Sequence, residues 1–248
     1  MISLKRKQPP ISAERGRVSE DGPKPSPNTL SHWLDPKNRK VRTPIGWVLD
    51  PSPSMDAFTE AQLEKAKQMV EEFLKNPLLN RTVMMNVVQI GEPAAATGFS
   101  ELASFRVPDI ARSNSTPLHL ALDRMKADFG RLISEIREQG IDRTESVVII
   151  TTDGMANGCT QGVLDQSIRE FNEQAKRWSV TNLVVGLGES LDENCLKALA
   201  NTIPPLQMQQ LNVEALMPFI KKLVLRASQS SKGQKIEVEL PKEIRLME

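Results

Sequence analysis

The chain has 248 residues, with 32 Lys and Arg against 31 Asp and Glu, and this length is enough for one substantial hydrophobic core. The charge is unevenly spread, because residues 1–42 hold ten basic and four acidic residues, whereas the rest of the chain holds 22 and 27. A mildly acidic body argues against a nucleic-acid-binding surface, and two cysteines without a Cys-x-x-Cys spacing argue against a disulfide framework or a zinc site.

The first 42 residues predict a basic, proline-rich arm that is mostly disordered. Six of the 17 prolines lie in this segment, which has little apolar periodicity. Such a composition buries too little apolar surface to offset the entropy lost on ordering. The chain also begins without the apolar segment of a secretory signal, and no apolar stretch reaches membrane-spanning length. We therefore expect a cytoplasmic protein.

From residue 43 the sequence alternates between strand and helix patterns. Residues 43–50 form a continuous apolar run that ends in aspartate, which is typical of a strand buried on both faces. Residues 59–76 place apolar side chains at helical spacing, and residues 81–91 predict a second strand. Partial alternation predicts a third strand at residues 99–107.

The second half of the body continues the same alternation. Residues 116–140 predict one long helix, or two helices separated near Gly130, and Thr116 with Pro117 has the character of a helix start. The elements that follow are a strand at 145–154, a helix at 161–179, a strand at 180–188, a helix at 191–201, a strand at 204–211, a closing helix at 212–229 and a strand pattern at 235–244.

This alternation predicts an α/β fold built on a single doubly wound, mostly parallel sheet flanked by helices. We divide the chain into a disordered arm at 1–42, one α/β domain at 43–228 and a C-terminal extension at 229–248. The strand pattern of the extension either adds to a sheet edge or pairs with a partner.

Polar side chains follow two of the predicted strands. Asp50, Ser52 and Ser54 come after the first strand, Asp153 ends the strand at 145–154, and Thr116 begins the long helix. Ligands of open parallel sheets lie beyond the carboxyl ends of the strands, so these side chains are expected to converge. All five offer oxygen, without sulfur or imidazole, which is the donor set that Mg²⁺ or Mn²⁺ prefers.

The same residues have a simpler interpretation when taken one at a time. An aspartate at the end of a strand is usually a turn or cap residue, so either Asp50 or Asp153 alone would be assigned to that role. The metal interpretation depends on all five donors meeting at one sheet edge. In that interpretation Pro51 and Pro53 stiffen the turn that carries the two serines.

These motifs resemble the metal-ion-dependent adhesion site of von Willebrand factor A domains. The resemblance rests on Asp-x-Ser-x-Ser at 50–54, on Thr116 before Pro-Leu-x-x-Ala-Leu, and on Thr-Asp-Gly at 152–154. It covers about residues 43 to 228. Within that family the segments STPLHLALDRM, VVIITTDGMAN and ALMPFIKKLVLRASQS are most similar to the small bacterial cytosolic members of the TerY type, which are associated with tellurium resistance.

The resemblance implies specific roles for the five residues. Ser52, Ser54 and Thr116 would bind the ion directly, and Asp50 and Asp153 would act directly or through water. It also implies a six-stranded, mostly parallel sheet. The implied role is scaffolding or signalling by protein contact, with a kinase or phosphatase as partner in a bacterial stress-response or defence system.

We therefore expect a non-enzymatic, divalent-metal-dependent protein-interaction module, in which a partner supplies Glu or Asp to an open coordination position. Two alternatives stay open at this point. One is a metal-dependent phosphoester hydrolase at the same sheet edge, for which Asp56 or Glu92 would have to serve as general base. The other is a structural scaffold with a vacant site.

Overall fold

The computed structural model describes residues 2–6, 41–110, 112–208, 213–230 and 236–247. It confirms the predicted α/β fold with a mostly parallel sheet flanked by helices. The strands are β1 (Ile2–Arg6), β2 (Val41–Leu49), β3 (Val83–Gln89), β4 (Ala95–Ala96), β5 (Ser100–Glu101), β6 (Asp142–Arg143), β7 (Ser146–Thr152), β8 (Val180–Leu187), β9 (Leu206–Met208), β10 (Ile236–Leu240) and β11 (Arg245–Leu246). The helices are α1 (Asp56–Lys75), α2 (Pro77–Thr82), α3 (Leu118–Glu138), α4 (Gln161–Trp178), α5 (Glu193–Leu199) and α6 (Val213–Ser228).

The central sheet has the strand order β11-β9-β8-β7-β2-β3-β4. The five strands from β9 to β3 are parallel, while β11 and β4 run antiparallel at the two edges. From β2 the chain first adds β3 on one side and later adds β7 on the other. The boundary between β2 and β7 is thus the point where the strand order reverses, and such points form ligand-binding crevices in open α/β sheets.

The central strands are continuous apolar runs because helices cover both faces of the sheet. Side chains of β2 alternate between the two cores: Ile45, Trp47 and Leu49 pack with α1 and α6, whereas Val48 packs with α3, α4 and α5. Every residue of β7 and β8 is buried. This two-sided burial holds the carboxyl ends of β2 and β7 in fixed register.

Most predicted elements are present, with differences at the less regular segments. The predicted strand at 99–107 is wrong over most of its length, since only β5 pairs with β3 there and residues 102–104 form a turn. The long helix is a single helix, because Gly130 continues α3 and lies beside the Trp178 ring rather than ending the helix. Among the described residues no helix is both long and apolar enough to cross a membrane.

The two ends of the chain meet in a separate two-stranded parallel sheet. Ile2 pairs with Ile236 and Leu4 with Val238, and the inward side chains of β10 are buried in the core that contains α6. A strand at residues 2–6 departs from the disordered arm expected there, because alternate apolar side chains of this segment find a buried face. Residues 7–40 lie outside the described residues, and the three-part division of the chain stays a prediction.

Pairing between the chain ends should contribute measurably to stability. We expect Ile2→Ala and Ile236→Ala each to lower the free energy of unfolding by about 2–4 kcal/mol, because both side chains are almost fully buried. The double variant should lose less than the sum of the two, since directly paired residues couple. Urea denaturation of wild type, the two single variants and the double variant measures this double-mutant cycle. Ser3→Ala, on the other face of β1, is the control, and an Ile2→Ala variant as stable as wild type would contradict the pairing.

Candidate functional site

Asp50 follows the last residue of β2 and is completely buried. The parallel register pairs Leu49 with Thr151, so Asp50 lies beside Thr152 on the neighbouring strand. Its Oδ2 accepts a hydrogen bond from the Thr152 hydroxyl at 2.6 Å, and its Oδ1 accepts one from the Ser52 backbone N–H at 3.0 Å. Both carboxylate oxygens are therefore held in place by the strand ends.

The two serines connect the first strand to Asp153. The hydroxyl oxygens of Ser52 and Ser54 lie 3.1 Å apart, and the Ser54 hydroxyl donates to Asp153 Oδ2 at 2.6 Å. A 3₁₀ turn, Pro53–Met55, presents Ser54 at the surface while Ser52 is buried. The other oxygen of Asp153 accepts from the Met155 N–H at 2.9 Å. Four of the five predicted donors thus lie within one group joined by hydrogen bonds.

Thr116 is held against the loop that follows Asp153. Its backbone N–H donates to Asn157 Oδ1 at 2.7 Å, and its backbone carbonyl accepts from the Asn157 N–H at 3.0 Å. These two bonds pin the start of α3 to the β7–α4 loop. Thr116 is buried, as Ser52 and Asp153 are. That its hydroxyl meets the other four donors around one cation stays a prediction.

The expected helix cap at Thr116 takes a different form. The residue next to the first turn of α3 is Pro117, and no side chain caps the helix there. Thr116 is instead positioned by the reciprocal bonds with Asn157, so its side chain is not used as a cap.

Burial raises the pKa of Asp50 above its ordinary value, and the nearby Asp153 carboxylate adds to that increase. Hydrogen bonds from Thr152 and Ser52 oppose the shift but do not cancel it. Two carboxylates close together in a buried setting favour a compensating cation. The residues present fit a hard divalent ion, since carboxylate and hydroxyl oxygens are the donors that such ions take. In the described ranges no group of three or more His, Cys, Asp or Glu side chains could hold a metal, so a site here requires the hydroxyls.

Thr152 and Asn157 were not among the predicted site residues. Thr152 orients Asp50 and also accepts a hydrogen bond from the Gly154 N–H at 3.0 Å, whereas Asn157 holds Thr116. The signal for Thr152 is its place beside Asp153 at the end of a fully buried strand, where a hydroxyl needs a partner. Asn157 has no comparable signal, because its contact depends on how a loop meets a distant helix.

Removal of the Thr152 hydroxyl tests its positioning role. We expect Thr152→Val to weaken Mg²⁺ binding about 10- to 100-fold, the effect typical of losing a group that orients a metal ligand. The measurement is Mg²⁺ titration by calorimetry. Thr151→Val is the matched control, because the Thr151 hydroxyl lies on the opposite face and accepts from Trp47 Nε1 at 3.1 Å. Equal Mg²⁺ affinity in Thr152→Val and wild type would contradict the role.

The fold is shared with solved structures, although no protein-family model and no curated protein matches the chain. The von Willebrand factor type A structure from Catenulispora acidiphila is 15% identical with a TM-score of 0.54, and the match covers 76% of this chain and 43% of that one. The von Willebrand factor domain of the type V pili tip protein Mfa5 from Porphyromonas gingivalis is 11% identical, with a TM-score of 0.54 and coverages of 75% and 96%.

A third similar structure is proximal thread matrix protein 1 from the mussel byssus, described with a zinc-occupied MIDAS motif. It is 16% identical with a TM-score of 0.50, and the match covers 77% of this chain and 48% of that one. The chain thus spans less than half the length of two of these three proteins. The TM-scores of 0.54 over about three-quarters of this chain show that it has the fold of a von Willebrand factor A domain.

Proposed function

We propose that the chain is a divalent-metal-dependent protein-interaction module whose metal site consists of Asp50, Ser52, Ser54, Thr116 and Asp153. Mg²⁺ or Mn²⁺ would be held by these oxygens, and a Glu or Asp from a partner protein would take the outward position. The proposal treats the chain as a binding module rather than an enzyme.

The observation that carries this proposal is the hydrogen-bonded group that links the ends of β2 and β7. Asp50, Ser52, Ser54 and Asp153 come from two segments about a hundred residues apart, yet they are joined at one sheet edge by hydrogen bonds, of which the one from Ser52 to Asp50 comes from the backbone N–H. Ser54 lies at the exposed end of the group and Asp50 at its buried end. The exposed Ser54 therefore gives access from solvent to donors that are otherwise buried.

Each residue has a distinct part in this site. The hydroxyls of Ser52, Ser54 and Thr116 would contact the ion, and Asp50 and Asp153 would balance its charge directly or through water. The bound cation would supply the attraction for a partner carboxylate. Thr152 would keep Asp50 oriented, and the Met155 N–H would keep Asp153 oriented.

The resemblance to the TerY type extends the proposal to a biological setting. We propose a cytoplasmic scaffold or signalling component of a bacterial stress-response or defence system, such as one associated with tellurium resistance. A protein kinase or phosphatase is then the expected kind of partner. The solved structures of similar fold support protein binding in general terms, since a pili tip protein and a byssus matrix protein are among them.

Metal titration tests the site directly. Calorimetry should show one Mg²⁺ or Mn²⁺ site in the wild-type protein and none in Asp153→Ala. The control is Asp142→Ala, which removes an exposed carboxylate at the opposite edge of the sheet, near the start of β7. An unchanged titration in Asp153→Ala would contradict the proposed ligands, and absence of binding in wild type would indicate a scaffold with a vacant site.

Partner capture tests the function. Proteins retained from a bacterial lysate in Mg²⁺ should be lost when EDTA is added, and equal recovery would contradict metal-dependent binding. Hydrolysis of a generic phosphoester by wild type but not by Asp50→Ala would instead indicate the hydrolase.

A further inference from the structure

Asn157 contacts both polar groups of the Thr116 backbone. Its side-chain Oδ1 accepts a hydrogen bond from the Thr116 N–H at 2.7 Å, and its own N–H donates to the Thr116 carbonyl at 3.0 Å. Asn157 is exposed, whereas Thr116 is buried. Because the residue that holds Thr116 lies at the surface, its replacement should leave the hydrophobic core intact.

The segment before α3 is otherwise shaped by local contacts. No side chain caps α3, and the Ser113 hydroxyl accepts from the Ser115 N–H at 3.3 Å and donates to the Ser115 carbonyl at 2.6 Å. The Thr116 carbonyl also accepts from the Leu118 N–H at 2.8 Å. Among the hydrogen bonds that Thr116 makes within the described residues, those to Asn157 are the ones that join it to another part of the chain.

The short segment between Asp153 and Asn157 has a fixed shape. Gly154 has a φ of +81°, a conformation that favours glycine, and its carbonyl accepts from the Ala156 N–H at 2.7 Å. This turn sets the distance between Asp153 and Asn157. The bonds from Asn157 therefore hold a proposed hydroxyl ligand, Thr116, in place relative to a proposed carboxylate ligand.

Donors that are held in place discriminate between ions by size. Mg²⁺ takes its oxygen ligands at about 2.0–2.1 Å in a near-octahedral arrangement, whereas Ca²⁺ takes about six to eight at about 2.3–2.6 Å in a flexible one. A donor that can shift accommodates either ion, but a fixed donor cannot follow the larger one. The Asp50 and Asp153 carboxylates are already held by hydrogen bonds to both of their oxygens. The freedom of Thr116 depends on Asn157.

We infer that Asn157 is a positioning residue that ties Thr116 to the loop following Asp153 and thereby makes the site selective for Mg²⁺ over Ca²⁺. Asn157 acts through the Thr116 hydroxyl and does not contact the ion itself. This inference rests on the proposed metal-dependent function and adds the residue that sets the choice of ion. Loss of the Asn157 carboxamide should therefore weaken Mg²⁺ binding more than Ca²⁺ binding.

Calorimetric titration of the full-length protein with Mg²⁺ and, separately, with Ca²⁺ measures the ratio of the two affinities. In Asn157→Ala the Mg²⁺ affinity should fall about tenfold, an effect typical of losing a group that orients a metal ligand, while the Ca²⁺ affinity should change little. The preference for Mg²⁺ should fall by a similar factor. An unchanged ratio in Asn157→Ala would overturn the inference and leave the proposed function intact, since wild type would still bind Mg²⁺.

Two further variants separate positioning from a general loss of stability. Asn157→Asp keeps an oxygen that can accept from the Thr116 N–H, so the affinity ratio should stay close to that of wild type while the added charge strengthens binding of both ions. Asn172→Ala removes a carboxamide that donates to the Ala198 carbonyl at 2.7 Å, in the second half of α4. It should lower stability without changing the ratio. An equal loss of the ratio in all three variants would overturn the inference.

A double-mutant cycle tests whether Asn157 acts through Thr116. Thr116→Ala removes the hydroxyl but keeps the backbone groups that bond to Asn157, and its weaker binding can be followed at higher Mg²⁺ concentration. In this background Asn157→Ala should have little further effect on Mg²⁺ affinity, because residues that act together are not additive. Fully additive losses would overturn the inference. Absence of Mg²⁺ binding in wild type would overturn the proposed function as well, so the two failures are distinguishable.

Discussion

Replacing Gly154 by alanine is expected to lower the free energy of unfolding by about 2–4 kcal/mol and to weaken Mg²⁺ binding. Gly154 has a φ of +81°, where an L side chain is strained, and an added Cβ would lie 2.9 Å from the Asp192 carbonyl oxygen. This contact is with backbone, so a rotamer change cannot relieve it. The loop would have to move, and that loop carries Asp153 and its hydrogen bond to the Asp192 N–H.

A second glycine separates backbone strain from the clash. Gly98 has a similar φ of +71°, but a Cβ added there would have no atom within 4 Å, so Gly98→Ala should cost only about 1–2 kcal/mol. Urea denaturation and Mg²⁺ calorimetry on both variants provide the comparison. Equal stability losses and unchanged Mg²⁺ affinity in Gly154→Ala would contradict the close packing of the two loops.

Asp50→Asn should change stability and metal affinity in opposite directions. Because burial raises the pKa of Asp50, the charged carboxylate destabilises the folded protein at neutral pH relative to the unfolded chain. Asparagine removes that charge and keeps a similar shape, so the metal-free variant should be more stable than wild type. The same substitution should greatly reduce Mg²⁺ affinity, since a buried negative charge is lost.

The pH dependence of Asp50→Asn gives an independent check. In EDTA the charged Asp50 carboxylate destabilises the folded wild-type protein above the folded pKa of Asp50, and this destabilisation disappears as the pH falls through that pKa. The stability advantage of Asp50→Asn should therefore shrink toward acidic pH. Thermal unfolding in EDTA between neutral and acidic pH measures this. An advantage that stays constant over the range would show that the carboxylate charge is not its cause, and Asp142→Asn, which is exposed, should show none.

The sheet could be predicted because its central strands leave a strong pattern. Burial on both faces makes β2, β7 and β8 continuous apolar runs, and parallel strands must end at one edge. That reasoning was sufficient to predict Asp50 and Asp153 at the same edge of the sheet, whereas the direct pairing of their strands is a finding of the structure. It could not specify the Thr152 hydroxyl as the donor to Asp50, because that bond depends on the register between β2 and β7.

Very short strands could not be predicted from the sequence. The edge strands β4, β5 and β11 have two residues each, and such a length carries no periodicity. The strand at Ile2–Arg6 lies next to a proline-rich, basic segment, and its partner β10 is at the other end of the chain. Composition within a local window cannot reveal a partner so far away.

Pairing between Ile2 and Ile236 has a consequence for biosynthesis. Residues 2–6 are synthesised long before residues 236–240, so the two-stranded sheet can form only after β10 has left the ribosome. Until then the apolar side chains of Ile2 and Leu4 lack their native strand partners. A chain that terminates before β10 would therefore leave these side chains without the strand that pairs with them.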